Sequence, residues 1–220
     1  MKLYYRLMNL LFPPKCILCR KLLLKEETDL CKQCRVEAPY YPNHKRKLQF
    51  LDSFTAVWYY EGNVRKSLLR YKFYGARKNA DSYGRLLAMR LLETNPDGFD
   101  CLTWVPVSRL RKLRRGYDQV ELLAKAVGTE LGIPTEKLLE KFRDNRANSG
   151  LKTPAERRAN VLGVYKVPEG ADVRGKRVLL LDDIVTTGAT ASECARVLLT
   201  AGAEEVIFAA VASAGTTTSK

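Results

Sequence analysis

The sequence predicts an α/β fold: a mostly parallel sheet covered on both faces by helices, preceded by a small module built on cysteines. Three observations carry that expectation. Short continuous apolar runs such as Val178–Leu181 suit parallel strands buried on both faces. These runs alternate with segments of helical period, the pattern of consecutive strand–helix–strand units. Finally, four of the six cysteines fall in two Cys-x-x-Cys knuckles, Cys16 with Cys19 and Cys31 with Cys34.

The module is expected over residues 1–45 and the α/β domain over 46–220. Pro13-Pro14 precede the first knuckle, and Pro39 and Pro42 follow the second. Leu3, Leu7, Leu10 and Leu11 share a helical face that can dock on the domain, on a partner or on a membrane surface. Two knuckles can aim four thiolates at one tetrahedral zinc ion, the closed arrangement that holds together segments too small to bury a core. Four thiolates leave no open position for water, so the zinc is expected to be structural. Disulfides are the rival reading and need an oxidising compartment. Arg6 and Asn9 interrupt the apolar residues of the first 14 and no small-residue cleavage site follows, so the expected location is cytoplasmic. No apolar run approaches the roughly 18–20 residues of a membrane span. Cys101 and Cys194 lie in apolar strand and helix contexts and read as core thiols.

Along the domain, Phe54, Ala56, Trp58 and Tyr60 alternate as a strand, with a turn at Gly62-Asn63. Helical spacing follows through Val64, Leu68 and Tyr71, then through Leu86, Leu87 and Leu91. Leu102–Val107 reads as a strand and Tyr117–Leu131 as an amphipathic helix closed by Gly132. Thr153-Pro154-Ala155-Glu156 is a capping box with Pro in the first turn. A strand, a helix to Ala201 and a strand over Val206–Ala212 complete the chain.

The strand at Val178–Leu181 leads into Asp182-Asp183-Ile184-Val185-Thr186-Thr187-Gly188-Ala189-Thr190. These polar residues are expected in a strand-to-helix loop. There, helix N–H groups and the hydroxyls of Thr186, Thr187 and Thr190 can hold a phosphate, and Gly188 lets the backbone come close. Two carboxylates would repel that phosphate, so Asp182 and Asp183 are assigned to ribose hydroxyls, with a magnesium ion nearby. The pattern resembles the phosphoribosyl pyrophosphate (PRPP) signature of type I phosphoribosyltransferases, with Ala189 in its variable place. P-loop and dinucleotide fingerprints are absent from the chain.

The formal charge is +14 and it is uneven: residues 1–50 carry 11 basic and 4 acidic groups, and residues 101–150 carry 10 and 6. That balance favours polyanionic partners, nucleic acid first and anionic lipid second. Arg109, Arg111, Lys112, Arg114 and Arg115 follow Val107-Ser108, and Lys45, Arg46 and Lys47 follow the module. Such clusters can neutralise a pyrophosphate or the backbone of single-stranded DNA, or can form an ordinary solvated helix start. A second basic stretch, 141–158, reads as a mobile loop of the kind that folds over a site to exclude water. His44, the single histidine, lies among cations and reads as a surface residue. The catalytic residues are unknown from sequence, because no general base can be identified.

Several further segments extend the resemblance: Phe12-Pro13-Pro14 before the knuckles, Leu69–Gly75, Val105-Pro106-Val107, Arg115-Gly116-Tyr117-Asp118-Gln119 and Arg158-Ala159-Asn160. With these the whole chain resembles the ComF family of competence proteins, a zinc ribbon joined to a type I phosphoribosyltransferase domain. One departure is Asp118, where the family often has Asn. The resemblance implies a role in bringing single-stranded DNA into the cytoplasm with a helicase-like motor, at the inner face of the membrane. It also implies PRPP with its 5-phosphate on Thr186–Thr190, its ribose on Asp182 and Asp183, and its magnesium-bound pyrophosphate between the Val107-Ser108 loop and the arginines of the stretch 141–158, Arg143, Arg146, Arg157 and Arg158. Two readings stay open: a DNA-binding competence factor that keeps a PRPP site, and an active phosphoribosyltransferase transferring to a base or amine. Loss of zinc is expected to unfold the module and spare the sugar-phosphate site.

Overall fold

The computed structural model describes residues 13–42, 47–143 and 153–215. Leu3, Leu7, Leu10, Leu11, His44, Lys45, Arg46, Arg146 and Lys152 lie outside that range.

After the first knuckle, a short helix α1 (Lys32–Glu37) carries Cys34. The domain then runs β1 (Ser53–Tyr59), α2 (Gly62–Phe73), α3 (Asn79–Thr94), β2 (Cys101–Trp104), α4 (Arg109–Arg115) and α5 (Gln119–Leu131). It continues through β3 (Glu140–Lys141), α6 (Pro154–Val161), β4 (Tyr165–Lys166), β5 (Arg177–Val185), α7 (Ala189–Thr200) and β6 (Glu205–Ser213). Four strands form one parallel sheet in the order β1-β6-β5-β2, with Asp182 opposite Ala210. β5 occupies an inner position, and its N- and C-terminal neighbours in sequence supply helices to both faces.

Strand alternation divides the core into two layers. Leu179, Leu181, Leu102, Ile207 and Ala209 pack against the helices α2, α3 and α5. Val178, Leu180, Cys101, Phe208 and Ala210 pack against α7 and the β4 segment. On the first face α3 and α5 approach closely at Gly84, where a Cβ would lie 2.5 Å from the Ala126 Cβ. An alanine there would force the two helices apart.

The cysteine module is not a separate body. Cys16, Ile17, Leu18, Leu30, Cys31 and Cys34 belong to the same apolar cluster as α2 and α3. The Arg70 guanidinium on α2 donates to the carbonyls of Ile17 (3.0 Å) and Leu18 (2.8 Å), and the Ser67 hydroxyl donates to Ile17 as well. Arg85 on α3 grips Asp29 through two nitrogens. Residues 39–41 then add to the edge of β1, with Tyr41 N–H donating to Val57 (2.9 Å) and Tyr59 N–H to Pro39 (2.7 Å).

Several boundaries differ from those expected. β5 runs on to Val185, so Asp182 and Asp183 stand in the strand and only Thr186–Gly188 form the loop. Its inner position explains the extension, because β6 offers backbone partners up to Ser213. β2 stops at Trp104, three residues early, ahead of Pro106, which lacks an N–H for a ladder. The turn expected at Gly62-Asn63 is the first turn of α2 itself. The basic run 109–115 is a helix, capped by the Ser108 hydroxyl on the Arg111 N–H and ended by Gly116 at φ 73°. Of the stretch 141–158, the start lies in β3 and the end in α6, where the Thr153–Glu156 capping box forms as expected. β3 and β4 were not anticipated: two residues each give too short an alternation to read.

Candidate functional site

The metal centre is the more local of two sites. The Sγ atoms of Cys16, Cys19, Cys31 and Cys34 all lie within 4.8 Å of one another, and Cys19 and Cys31 are 3.6 Å apart. A tetrahedron with zinc–sulfur bonds of about 2.3 Å has edges of about 3.8 Å, so the four sulfurs fit one zinc ion. Backbone turns aim them: Arg20 N–H returns to the Cys16 carbonyl, and Arg35 N–H to Cys31 at the start of α1. Burial opposes ionisation of Cys16, yet backbone N–H groups around it lower the thiol to about 7, whereas burial and the neighbouring sulfurs hold Cys19 and Cys34 up, a cost that a cation among them offsets. The remaining cysteines, Cys101 and Cys194, are wholly buried in the domain core, and burial pushes both thiols up.

The second site is a cleft of about 820 Å³ at the carboxyl ends of β2 and β5. Parallel α/β sheets place their ligands at this edge. Thr186–Thr190 form its floor, where Gly188 at φ 84° turns the chain into α7. Gly188 gives α7 no capping side chain and Thr187 Oγ1 reaches only the Ala189 N–H, at 3.4 Å, so the N-terminal dipole of α7 is left facing the cleft. Val107 lines the opposite wall, and Ser108 is buried beside it as the cap of α4.

The adjacent carboxylates of β5 point to opposite faces of the sheet, as the pleat demands. Asp183, only 2% exposed, turns toward α2 and α5. Its carboxylate meets Lys72 Nζ at 2.9 Å and accepts from Gln119 Nε2 at 3.1 Å. Asp182 turns the other way and accepts from the Asp183 N–H at 2.7 Å. Burial first, and then the Asp183 charge, hold the Asp182 carboxyl well above the usual carboxylate range. Both residues line the cleft. Magnesium takes one or two carboxylates and completes its shell with substrate oxygens and water, so Asp182 is the residue that would hold it here, Asp183 being engaged by Lys72.

The cleft is strongly cationic. Lys72, Arg77, Arg111, Arg114, Arg115, Lys141 and Arg157 line it, against Asp182 and Asp183. Three of these come from α4, so cations expected to meet a pyrophosphate or a nucleic-acid backbone stand in the walls of the cleft. Lys112 does not: its Nζ pairs with Glu121 at 3.1 Å on the outside. Lys47 is exposed and is absent from the cleft walls. At the mouth, the Arg115 guanidinium lies 4.8 Å from the centre of the exposed Phe73 ring, and Arg77 lies 4.3 Å from that of Tyr117. Asp118 is not an anion contact but the N-cap of α5, accepting from Val120 N–H (2.9 Å) and Glu121 N–H (3.1 Å).

Lys141 and Arg157 belong to the basic stretch 141–158 that was expected to fold over the site, whereas Lys72, Arg77 and Gln119 were given no role from sequence. A signal existed for two of them, since Lys72 and Gln119 sit inside segments that carry the family resemblance. What the sequence lacks is the fold that carries α2 and α5 to the end of β5.

A family model described as a phosphoribosyl transferase domain matches residues 120–220, and one described as a double zinc ribbon domain matches residues 7–45. With six cysteines in all, two of them in the core of the domain, the chain can supply one four-cysteine cluster. Competence protein F of Haemophilus influenzae is 25% identical over 215 residues, covering 87% of this chain and 93% of that protein. Competence protein ComFC of Streptococcus pneumoniae is 34% identical over 154 residues, 70% of this chain and 65% of that one. DNA utilization protein YhgH of Escherichia coli is 25% identical over 199 residues, 87% of this chain and 86% of that one. Among solved structures, the glutamine PRPP amidotransferase of B. subtilis superposes with a TM-score of 0.44 at 24% identity, over 65% of this chain and 30% of that one.

Proposed function

We propose, for what the comparisons identify as a ComFC-like protein with a phosphoribosyltransferase domain behind a zinc ribbon, that it is a competence factor binding PRPP with magnesium and single-stranded DNA. In this reading it assists the passage of transforming DNA into the cytoplasm. The observation that carries the reading is the cleft itself, a threonine-rich turn walled, among the described residues, by seven cations and two carboxylates. PRPP sets its 5-phosphate on Thr186–Thr190 at the N-terminus of α7, and its ribose beside Asp182 and Asp183. Its pyrophosphate lies toward Val107, Ser108 and the arginines of α4, where charge-assisted hydrogen bonds to phosphate are strongest. Magnesium would sit with the pyrophosphate and Asp182, screening the anion. The DNA backbone runs from the exposed Lys47 to the mouth of the cleft, with Phe73 offering a face for base stacking. A helicase-like motor and the inner face of the membrane are the proposed setting. Among the described residues no helix is long and apolar enough to cross a membrane.

Calorimetry tests the PRPP half: Asp182→Ala should weaken PRPP binding with magnesium by more than tenfold while the melting temperature holds. Anisotropy of a labelled oligonucleotide across a salt series tests the DNA half. Changing Arg111, Arg114 and Arg115 to Ala should reduce the logarithmic salt slope by roughly two, at about 0.7 per phosphate contact on a single strand. An unchanged slope removes α4 from the DNA path.

The placement of those three arginines supports a second reading, an active phosphoribosyltransferase that uses them on the leaving pyrophosphate. Orientation, leaving-group stabilisation and exclusion of water would then supply the catalysis. Release of pyrophosphate from PRPP in the presence of candidate bases or amines separates the two.

A further inference from the structure

Arg115 belongs to two settings at once. Its guanidinium lies 4.8 Å from the centre of the Phe73 ring, which is 59% exposed at the mouth, and the same residue lines the cleft. Arg111 and Arg114 line the cleft beside it. At i, i+3 and i+4 the three arginines share one face of α4 and span a single turn, about 6 Å of helix axis. Among the described residues none of the three has an ion-pair partner, whereas Lys72 is paired with Asp183 and Lys112 with Glu121. Arg114 is exposed and Arg111 and Arg115 are half-buried, so all three can be reached by a ligand.

One turn of helix is too short for two polyanions. A single strand that stacks a base on Phe73 carries its phosphates past Arg115, because ring and guanidinium are neighbours. A diphosphate lying toward Val107 and α4 draws on the same arginines. Two like unit charges about 6 Å apart, at the effective dielectric of about 20 that holds near a protein surface, repel by enough to cost about a hundredfold in affinity. Each further charge on either ligand adds to that penalty.

We infer that PRPP with magnesium and single-stranded DNA exclude each other from this protein through Arg111, Arg114 and Arg115, so that the small ligand displaces the strand. The inference rests on the reading of the cleft as a site for both and adds how the two are ordered: the PRPP-free protein holds DNA and lets it go when the cleft fills. What decides the displacement is where a ligand's charge falls. Ribose 5-phosphate sets its one phosphate on the turn Thr186–Thr190 and leaves the arginines of α4 to the strand. PRPP and pyrophosphate reach the arginines and take them from it.

Anisotropy of a labelled oligonucleotide on the full chain, at fixed free magnesium and fixed ionic strength, tests this. PRPP is expected to raise the apparent dissociation constant of the strand in proportion to its own concentration, past about tenfold and with no plateau. Pyrophosphate should do the same, and ribose 5-phosphate at a concentration that calorimetry shows to be saturating should not. A rise that levels off, or no rise while calorimetry shows PRPP bound, means that both ligands sit on the protein together and overturns the inference. Ribose 5-phosphate that displaces the strand as fully as PRPP overturns it too, because the exclusion then lies outside α4. Asp182→Ala adds a check on the site: its displacement curve should move to higher PRPP by the factor by which calorimetry shows its PRPP affinity to fall. A curve that stays in place shows PRPP acting as a bulk anion elsewhere on the chain, which also overturns the inference. If wild type binds both ligands and PRPP leaves the strand in place, the reading of the cleft stands and the inference falls. If wild type fails to bind either PRPP or the strand at low salt, both fall.

Discussion

The zinc centre and the cleft are built on opposite plans. The four sulfurs come from 19 consecutive residues, Cys16–Cys34, and face one another; among the described residues the module adds no cation to the walls of the cleft. The cleft draws its walls from segments as far apart as Lys72, Arg111, Lys141, Arg157 and Thr187, and it concentrates positive charge that a ligand must answer. The zinc site satisfies itself and holds the fold, while the walls of the cleft gather more cations than carboxylates. The two meet on α2, whose Ser67 and Arg70 hold the module and whose Lys72 holds Asp183. That link bears on the expectation that zinc loss spares the sugar-phosphate site.

The largest effect expected is on that link. Cys31→Ser should abolish tight zinc binding, read by metal analysis of protein purified under reducing conditions. Structural zinc contributes on the order of 10 kcal/mol in small zinc-binding peptides, far more than any single contact here. Because the module shares its core with α2 and α3, the loss should lower the melting temperature of the whole chain and weaken PRPP binding as well. Full zinc loss with unchanged PRPP affinity would restore the picture of two independent bodies, with α2 held by the domain alone.

A smaller effect probes the cleft end of α2. Lys72→Met removes the cation from Asp183 and leaves its nearly buried carboxylate with the Gln119 amide as its side-chain donor. Breaking one side of a buried pair costs about 3–5 kcal/mol, and the low end applies because the Lys72 side chain keeps 20% of its surface in water. Denaturant melts should show a loss near 3 kcal/mol, and adding Asp183→Asn to the variant should recover part of it. A loss below about 1 kcal/mol would mean that water already screens the pair.

The same contrast explains what the sequence revealed. Four cysteines at fixed spacing read correctly because the geometry of a zinc knuckle is local. The apolar strands and the capped helices also read correctly, since Thr153–Glu156 and Gly132 act through neighbours in sequence. The cleft read only in part. Thr186–Thr190 announced itself as a turn, but β5 absorbed Asp182 and Asp183 because β6 lay alongside to pair with them, a tertiary fact. The basic run at 109–115 showed its charge and not its direction: Arg111, Arg114 and Arg115 face the cleft while Lys112 faces Glu121, and helix phase alone decides which. Lys72 and Gln119 have ordinary neighbours in sequence, and their chemistry exists only after the helices pack.

The smallest effect separates structure from ligand within the cleft wall itself. Asp118 lies one residue from Gln119 yet serves α5 as its N-cap, and burial raises its carboxyl above the ordinary value even though the N–H groups of Glu121, Val107 and Val120 pull it down. A raised folded-state value means that the folded chain holds this proton more tightly than the unfolded chain, whose value is about 3.9. Stability from this group is therefore greatest below that value and declines as pH rises through the window up to the folded one. Asn keeps an oxygen for Val120 and Glu121 and cannot ionise, so Asp118→Asn should match the wild type at about pH 3.5 and melt about 1–3 °C higher at pH 7. The contact it forfeits, Val107 N–H to the second carboxylate oxygen, is 3.5 Å long and weak. If the Asn variant melts lower at pH 7, the attraction between the carboxylate and the helix dipole outweighs the cost of burying it, and the charge at this position belongs to the fold after all.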